Sequence, residues 1–510
     1  MIAGWIVGLL IFSPLFSARE LRLAMKNPTS LEVRDHFDLN TQSFFRLVGE
    51  GLMRIGKDGN PEPGLAEKME VFPDQALYIF RLRKDLRWSN GEPLTAQDFV
   101  RSWQEVFVHD FRARGFFTLL KNAQKILAGT LPPESLGVRA VDEETLSVEL
   151  EHYTPFFPEY VAHPCYCPVA DLSKNLDRFG KPKRERVWSG PFYLKGWIIG
   201  EKALLARNPH YWDLERVKLQ EITVQFVANP ELAWVLFQRK AIDFIGGGLS
   251  QLPLSVTKQN FPNQKWFERP TYALYLYFLN EKSVPLSNRA FRKLLAYSLR
   301  RKEWTEKLLE NDEAAAYRCF HPEMALHSIP FFEEWEDGKL LWAWRELEKS
   351  LREENGSLPS LSISYNTLSS LHEQVQEEWR KKWGLSITLQ PVDIYDLFDA
   401  LSGKREFDIL GIRWPFFVRD PVDCLLALAR KKGGGGDPQL IALLEKARQE
   451  GSLEKRERLC LQAEEKMYAD FSILPLFFFH TIPYLKHPEL KGEIATALGG
   501  IYFKEAFFED

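Results

Sequence analysis

The side chains able to do covalent or metal chemistry are many in this sequence but unpatterned. Ten histidines and five cysteines stand without HExxH or CxxC spacing, so neither a zinc site nor a disulfide framework is indicated. No GxSxG elbow or GxGxxG turn occurs. The longest glycine run, Lys431-Lys-Gly-Gly-Gly-Gly436-Asp-Pro438, lacks the Lys and Ser/Thr that a phosphate loop places after its glycines, and it reads as a flexible turn. Seventy carboxylates keep a hydrolase with a paired Asp/Glu open on numbers alone. Nothing calls for a cofactor or a resident metal. What the pattern does offer is recognition. Arg413-Trp414-Pro415-Phe416-Phe417-Val418-Arg419-Asp420 sets two guanidiniums and a carboxylate around an aromatic run. A guanidinium forks onto a carboxylate readily. Arg413 and Arg419 are therefore candidates for an acidic ligand group, with pairing to a surface carboxylate as the alternative.

Composition bounds what surrounds them. Hydrophobic residues make up 45 % and charged residues 27 % of 510 positions, which is enough to bury a large core in several folding units or one multi-lobed body. A net charge of −4 gives no broad basic field for nucleic acid or anionic lipid. Aromatic residues reach 13 %, which serves a large core first and a roomy cleft second. Cys165 and Cys167, in Cys-Tyr-Cys, are not expected to pair with each other, and a packing role suits them better. The run Ile2 to Phe16, followed by Ser17-Ala18 and the first charges, reads as a signal peptide over 1–18, although the positive n-region is absent. No cysteine follows it, so a periplasmic product without a lipid anchor is expected.

Strands and helices interleave along the chain. Tyr78, Phe80 and Leu82 alternate as a half-buried strand. Thr95 and Asp98 form a capping box ahead of a helix whose Phe99, Trp103, Val106 and Phe107 make one apolar stripe. Asn229-Pro230 opens another helix. From Tyr272 onward strands end near Leu279, Tyr365, Leu389 and Arg413 with helices between them, which predicts an α/β lobe on a largely parallel sheet.

Several segments, in order, resemble the family 5 extracellular solute-binding proteins of ABC importers, which capture oligopeptides and dipeptides. The most specific is Leu86-Arg-Trp-Ser-Asn-Gly-Glu-Pro-Leu-Thr-Ala-Gln-Asp-Phe-Val-Arg-Ser-Trp103. Beside it stand Ser189-Gly-Pro-Phe192, Arg207-Asn-Pro-His-Tyr-Trp212, Arg289-Ala-Phe-Arg-Lys-Leu-Leu-Ala-Tyr297 and Asp420-Pro421. The resemblance implies a two-lobed, hinge-closing α/β receptor with an extra subdomain in its first lobe. Residues 19–268 and 480–510 would form lobe I, with the subdomain at about 50–185, and 269–479 lobe II. It further implies a monomer that delivers a peptide or small solute to permease subunits in the inner membrane. The same fold used as an envelope chaperone, sensor or adhesin is the competing reading.

The resemblance also places a cleft. Trp414, Pro415, Phe416 and Phe417 would line one side, and Lys26 to Leu31 the other, with Asn27, Ser30, Leu31 and Glu32 as candidate contacts. The family usually has an aspartate for the peptide's α-ammonium three residues after the tryptophan, and here that position is Phe417. Asp420 or Glu32 could stand in for it, while Asp420 also suits a turn or helix cap.

Overall fold

The computed structural model of the chain describes residues 20–509 apart from 29–30, 36–38, 110, 112, 172–185, 199, 254, 285, 309–312, 321–331, 333, 356, 417, 432–436, 451 and 499. The expected signal peptide, most of the glycine run, Ser30 and Phe417 lie outside the described residues.

Two long apolar segments organise the molecule. Phe267–Leu279 and Ile473–Lys486 are strands of 13 and 14 residues. Their near-continuous apolar sequences match strands covered on both faces rather than the alternating pattern of a half-exposed sheet. They pair with each other antiparallel from Phe267 opposite Tyr484 to Phe278 opposite Ile473. The register shifts between Pro270 and Ala273 and again between Tyr275 and Leu276. Pro270 and Pro475 have no N–H to give to a ladder, and both sit at these irregularities, where the missing donors cost least.

The pair forms the centre of an eleven-stranded sheet. On one side it continues through Ile409–Pro415, Ser360–Tyr365 and Ser386–Pro391, on the other through Phe244–Gly246, Leu21–Met25, Glu221–Phe226, Lys202–Arg207 and Phe192–Ile198, and the short strand Ala314–Ala315 pairs with Ile473–Lys486 off this path. The expected largely parallel sheet is corrected here. Parallel pairing is confined to Leu21–Met25 with its two neighbours and to Ser360–Tyr365 with its two neighbours. The joining strands, Ile409–Pro415 and the outer strands of the first half pair antiparallel. Alternating helices and strands do not reveal direction where a chain crosses the sheet twice.

Each half carries its own core. One is built from residues between Ala273 and Phe479, and another joins Leu21–Met25 to residues up to Phe508. A third core belongs to a separate four-stranded antiparallel sheet, Ala66–Phe72, Leu77–Leu82, Thr145–Glu149 and Val138–Ala140. Tyr78, Phe80 and Leu82 face inward there, against the buried stripe of helix Ala96–Val108. Asp98 accepts the Thr95 N–H at 3.0 Å, the reciprocal half of the capping box. Cys165 and Cys167 do not lie on a strand. His163 caps a 3-10 turn over Pro164–Tyr166, whose proline at the first position favours a turn, and all five cysteines are buried thiols.

Candidate functional site

The halves meet where the joining strands pass between them, and there the sequence-predicted residues separate into distinct roles. Strand Ile409–Pro415 runs two residues beyond its expected end at Arg413, held by antiparallel pairing of Trp414 with Leu274 and Pro415 with Ala273. Trp414 lies half-buried, edge-on to Phe278 at 6.0 Å. Phe416 donates its N–H to the Tyr272 carbonyl at 2.8 Å and is buried in the adjacent core, so its ring fills that core. On the opposite side Lys26 and Asn27 follow the carboxyl end of Leu21–Met25, where α/β sheets gather ligands. Asn27 Oδ1 is shielded from solvent with no hydrogen-bond partner among the described residues. Leu31 gives its carbonyl to Arg186 at 2.8 Å.

Three candidates are engaged by the protein itself. Glu32 takes a two-pronged fork from Arg34, Nε to Oε1 at 2.6 Å and Nη2 to Oε2 at 3.0 Å. Burial pushes its carboxyl up, and the Arg34 bonds outweigh that and hold it below the usual carboxylate range. Asp420, 1 % exposed, accepts the Val422 N–H at 3.0 Å as the cap of helix Pro421–Lys431, and Arg456 donates to its other oxygen. Burial and the neighbouring Asp423 raise its carboxyl. Asp420 thus takes the helix-cap role that its place before Pro421 suggested, and the oxygens of both acids are engaged by the protein itself.

Arg419 reaches across the cleft. Its N–H and Nε donate to the two oxygens of Glu159 at 2.9 Å each, and its Nη2 donates to Asn60 Oδ1 at 2.9 Å. Glu159 belongs to the short helix Phe157–Val161 beside the small sheet, so this ion pair latches one half to the other.

Arg413 keeps buried donors with no partner among the described residues. Its guanidinium lies over the Phe479 ring at 4.3 Å, and its Nε and Nη2 are shut off from solvent with no partner among the described residues. Burial lowers it to about 10 against a weak opposing pull from Glu313. Across the pleat from it stand Tyr275 and a histidine that sequence reasoning passed over. His372, fully buried, takes Tyr275 Oη at 2.9 Å on Nε2 and Tyr277 Oη at 2.8 Å on Nδ1. Nε2 also lies 3.2 Å from the Thr367 carbonyl, which can only accept, so Nε2 carries the proton and Nδ1 accepts from Tyr277. Burial brings His372 down to about 3, so it is neutral at physiological pH. Gly411 makes the packing possible, because a Cβ there would stand 2.7 Å from His372 Cε1 and 2.9 Å from Tyr275 Oη.

Two further arginines were invisible to sequence reasoning because neither lies in a motif. Arg269, 1 % exposed, donates to the Gly247 carbonyl at 2.9 Å and to the Thr496 carbonyl at 2.9 Å. Arg46 stacks over Tyr502 at 5.4 Å, and its Nε has no partner among the described residues. No group of His, Cys, Asp and Glu able to hold a metal occurs among the described residues. No described helix is long and apolar enough to cross a membrane.

Comparison with known proteins fits this geometry. Residues 60–436 match the family described as bacterial extracellular solute-binding proteins, family 5 middle. Over 91 % of its length the chain is 30 % identical to the oligopeptide-binding protein OppA of Bacillus subtilis, of which 88 % is covered. It is 29 % identical to the probable deoxycholate-binding periplasmic protein YgiS of Escherichia coli, over 86 % of this chain and 83 % of that one. In fold it superposes on the Escherichia coli murein tripeptide binding protein MppA with a TM-score of 0.83, covering 96 % of this chain and 98 % of that one at 24 % identity. With its sheet shared between two halves and the family match over residues 60–436, the chain belongs to the family 5 bacterial extracellular solute-binding proteins.

Proposed function

We propose that this protein is the substrate-binding component of an ABC-type importer. It captures an oligopeptide or related small solute between its lobes in the periplasm and delivers it, chemically unchanged, to the permease in the inner membrane. The observation that carries the reading is the Arg419–Glu159 pair, which ties the half carrying strand Ile409–Pro415 to the helix beside the small sheet. Support comes from the peptide-binding names of relatives such as OppA and MppA and, for the wider solute class, from YgiS. The lobes divide near residues 268 and 479, and the register shift between Pro270 and Ala273 lets the joining strands twist there. Trp414, Asn27 and Arg413 contact the solute, whereas Glu32 and Asp420 shape the walls behind it. The protein acts as a monomer.

The test combines small-angle scattering with calorimetry on tri- and tetrapeptides, and mass spectrometry of small molecules that co-purify. Compaction on binding with every peptide recovered intact is the expected outcome. Cleavage of the peptide, or binding with no compaction, would overturn the reading.

A further inference from the structure

Four polar atoms in the first half are buried without a hydrogen-bond partner among the described residues, and the side chains that carry them line a single cavity. They are Arg46 Nε, Glu50 Oε1, Arg54 Nη1 and Tyr502 Oη. Different elements bring them there. Arg46 lies in the last turn of helix Leu39–Val48, Glu50 follows that helix, Arg54 is on strand Met53–Ile55, and Tyr502 ends strand Gly500–Tyr502. The Arg46 guanidinium lies over the Tyr502 ring at 5.4 Å, and Arg54 Nη1 stands 3.5 Å from Glu50 Oε1 without a hydrogen bond between them. The other atoms of Glu50 and Arg54 are engaged, which fixes how these groups are turned. Glu50 Oε2 accepts from Tyr211 Oη and from Trp212 Nε1, and Arg54 Nε donates to Glu62 Oε1 at 2.7 Å. Arg46 and Glu50 are only 8 % and 7 % exposed, so bulk solvent does not meet their open atoms. Buried polar groups are nearly always hydrogen-bonded, and four open ones around one cavity call for a partner from outside the chain.

Size and charge narrow that partner. The cavity measures about 40 Å³, and one water takes ~10–15 Å³ on that measure, so roughly three or four non-hydrogen atoms fit. The charges around it already balance. Arg54 lies between Glu50 and Glu62, and Lys504 donates to Asp213 at 2.5 Å, so with Arg46 three cations meet three carboxylates. An added ion upsets this balance and a neutral group does not. The open atoms are of two kinds. Both guanidinium nitrogens only donate, the Glu50 carboxylate only accepts, and the Tyr502 hydroxyl does either. A primary amide answers both, because its carbonyl oxygen and its NH2 share one carbon and meet Arg54 Nη1 and Glu50 Oε1 side by side. Met53, Ile55, Ala162 and Pro191 complete the wall with apolar surface for a short alkyl part.

We propose that this cavity is a second binding site, outside the cleft, for a small neutral primary amide. The amide oxygen accepts from Arg46 Nε and Arg54 Nη1, and its NH2 donates to Glu50 Oε1 and Tyr502 Oη. None of the residues lining the cavity belongs to the cleft candidates, so the site stands whatever the cleft binds.

Acetamide, acetate and acetone test this, because they share a four-atom skeleton and differ in what they offer. Acetamide accepts and donates, acetate is an anion that only accepts, and acetone is neutral and only accepts. Each is titrated by saturation-transfer NMR against the mature protein with no peptide present, which keeps the outcome separate from the peptide reading. Acetamide should saturate in the millimolar range, as suits so small a ligand, and the other two should bind at least ~10-fold more weakly. Tyr502→Phe removes only a hydroxyl that bonds to no described residue, so the melting temperature should hold while acetamide binding weakens ~3–10-fold. Glu50→Gln takes away the carboxylate and should swing the preference from acetamide toward acetate, a reversal that partial unfolding does not produce. Equal binding of the three probes, no saturation by acetamide below about 1 M, or an unchanged preference in every variant that melts as wild type does overturns the proposal.

Discussion

Replacing Arg419 with alanine removes the ion pair that spans the cleft, and the structure sets the size of the effect. Glu159 is left with its side chain 3 % exposed in the closed arrangement, facing no cation. Opening the lobes returns that carboxylate to water, so the loss falls on the closed form alone. Charge-assisted hydrogen bonds contribute ~1.5–3 kcal/mol each when one partner is buried, reduced here because Arg419 itself is 29 % exposed and well solvated when released. A net shift of about 2 kcal/mol against closure, roughly 30-fold in the closed-to-open ratio, is the result. The reciprocal change is milder, since Glu159→Gln leaves behind an arginine that can still reach solvent. Calorimetry with a peptide that binds the wild type, run on both single variants and the double, measures the coupling. We expect ~1–2 kcal/mol of coupling and a larger effect from Arg419→Ala than from Glu159→Gln. Coupling below ~0.3 kcal/mol would refute the latch, because it would mean that the pair exists without favouring closure.

Other outcomes follow from single positions. Phe417→Asp places a carboxylate where the family uses one, so the variant should gain preference for free over N-acetylated peptides. Wild-type affinity should survive acetylation, and a ~100-fold loss on acetylating the wild type, ~2.7 kcal/mol, would contradict this. His372 stays neutral in the fold down to about 3 while the unfolded chain protonates near 6.5. Stability is therefore lost as pH falls through that window, at about 1.4 kcal/mol per unit, and urea unfolding of wild type should weaken by about 2 kcal/mol more than His372→Gln between pH 6.5 and 5. Gly411→Ala forces a methyl to within 2.7 Å of His372 and should cost ~1–3 kcal/mol in thermal unfolding. An unchanged melting temperature would show that the Tyr275, Tyr277 and His372 network yields easily.

Local pattern carried the reading where one segment decides its own structure. The Thr95–Asp98 box, the Tyr78–Leu82 alternation and the Asn229 cap, whose Oδ1 accepts the Leu232 N–H at 2.8 Å, stand as their residue types dictate. What sequence could not show was which charges meet. Glu32 and Arg34 lie two residues apart and their pairing was open to inspection. Arg419 and Glu159 are 260 residues apart, and no spacing rule joins them. Strand direction was hidden for the same reason, because antiparallel pairing of Phe267–Leu279 with Ile473–Lys486 joins residues about 200 positions apart, set by tertiary packing.

The site and the joining strands are one device rather than two. Arg269 is anchored by the Gly247 carbonyl on the first half while its strand pairs with Ile409–Pro415 of the second only from Ala273 onward. Between the two points lie Pro270 and the register shift, the stretch with fewest ladder hydrogen bonds. Gly246 and Gly247 hold φ at +93° and +64°, and a Cβ on Gly246 would meet the Pro483 carbonyl at 2.6 Å, so a glycine turn lets the first half press directly against the joining pair. Rotation about that stretch changes how strand Ile409–Pro415 sits against the first half. A substitution that stiffens the joint, such as filling Gly246, should change the affinity for a peptide without touching Trp414, Asn27 or Arg413.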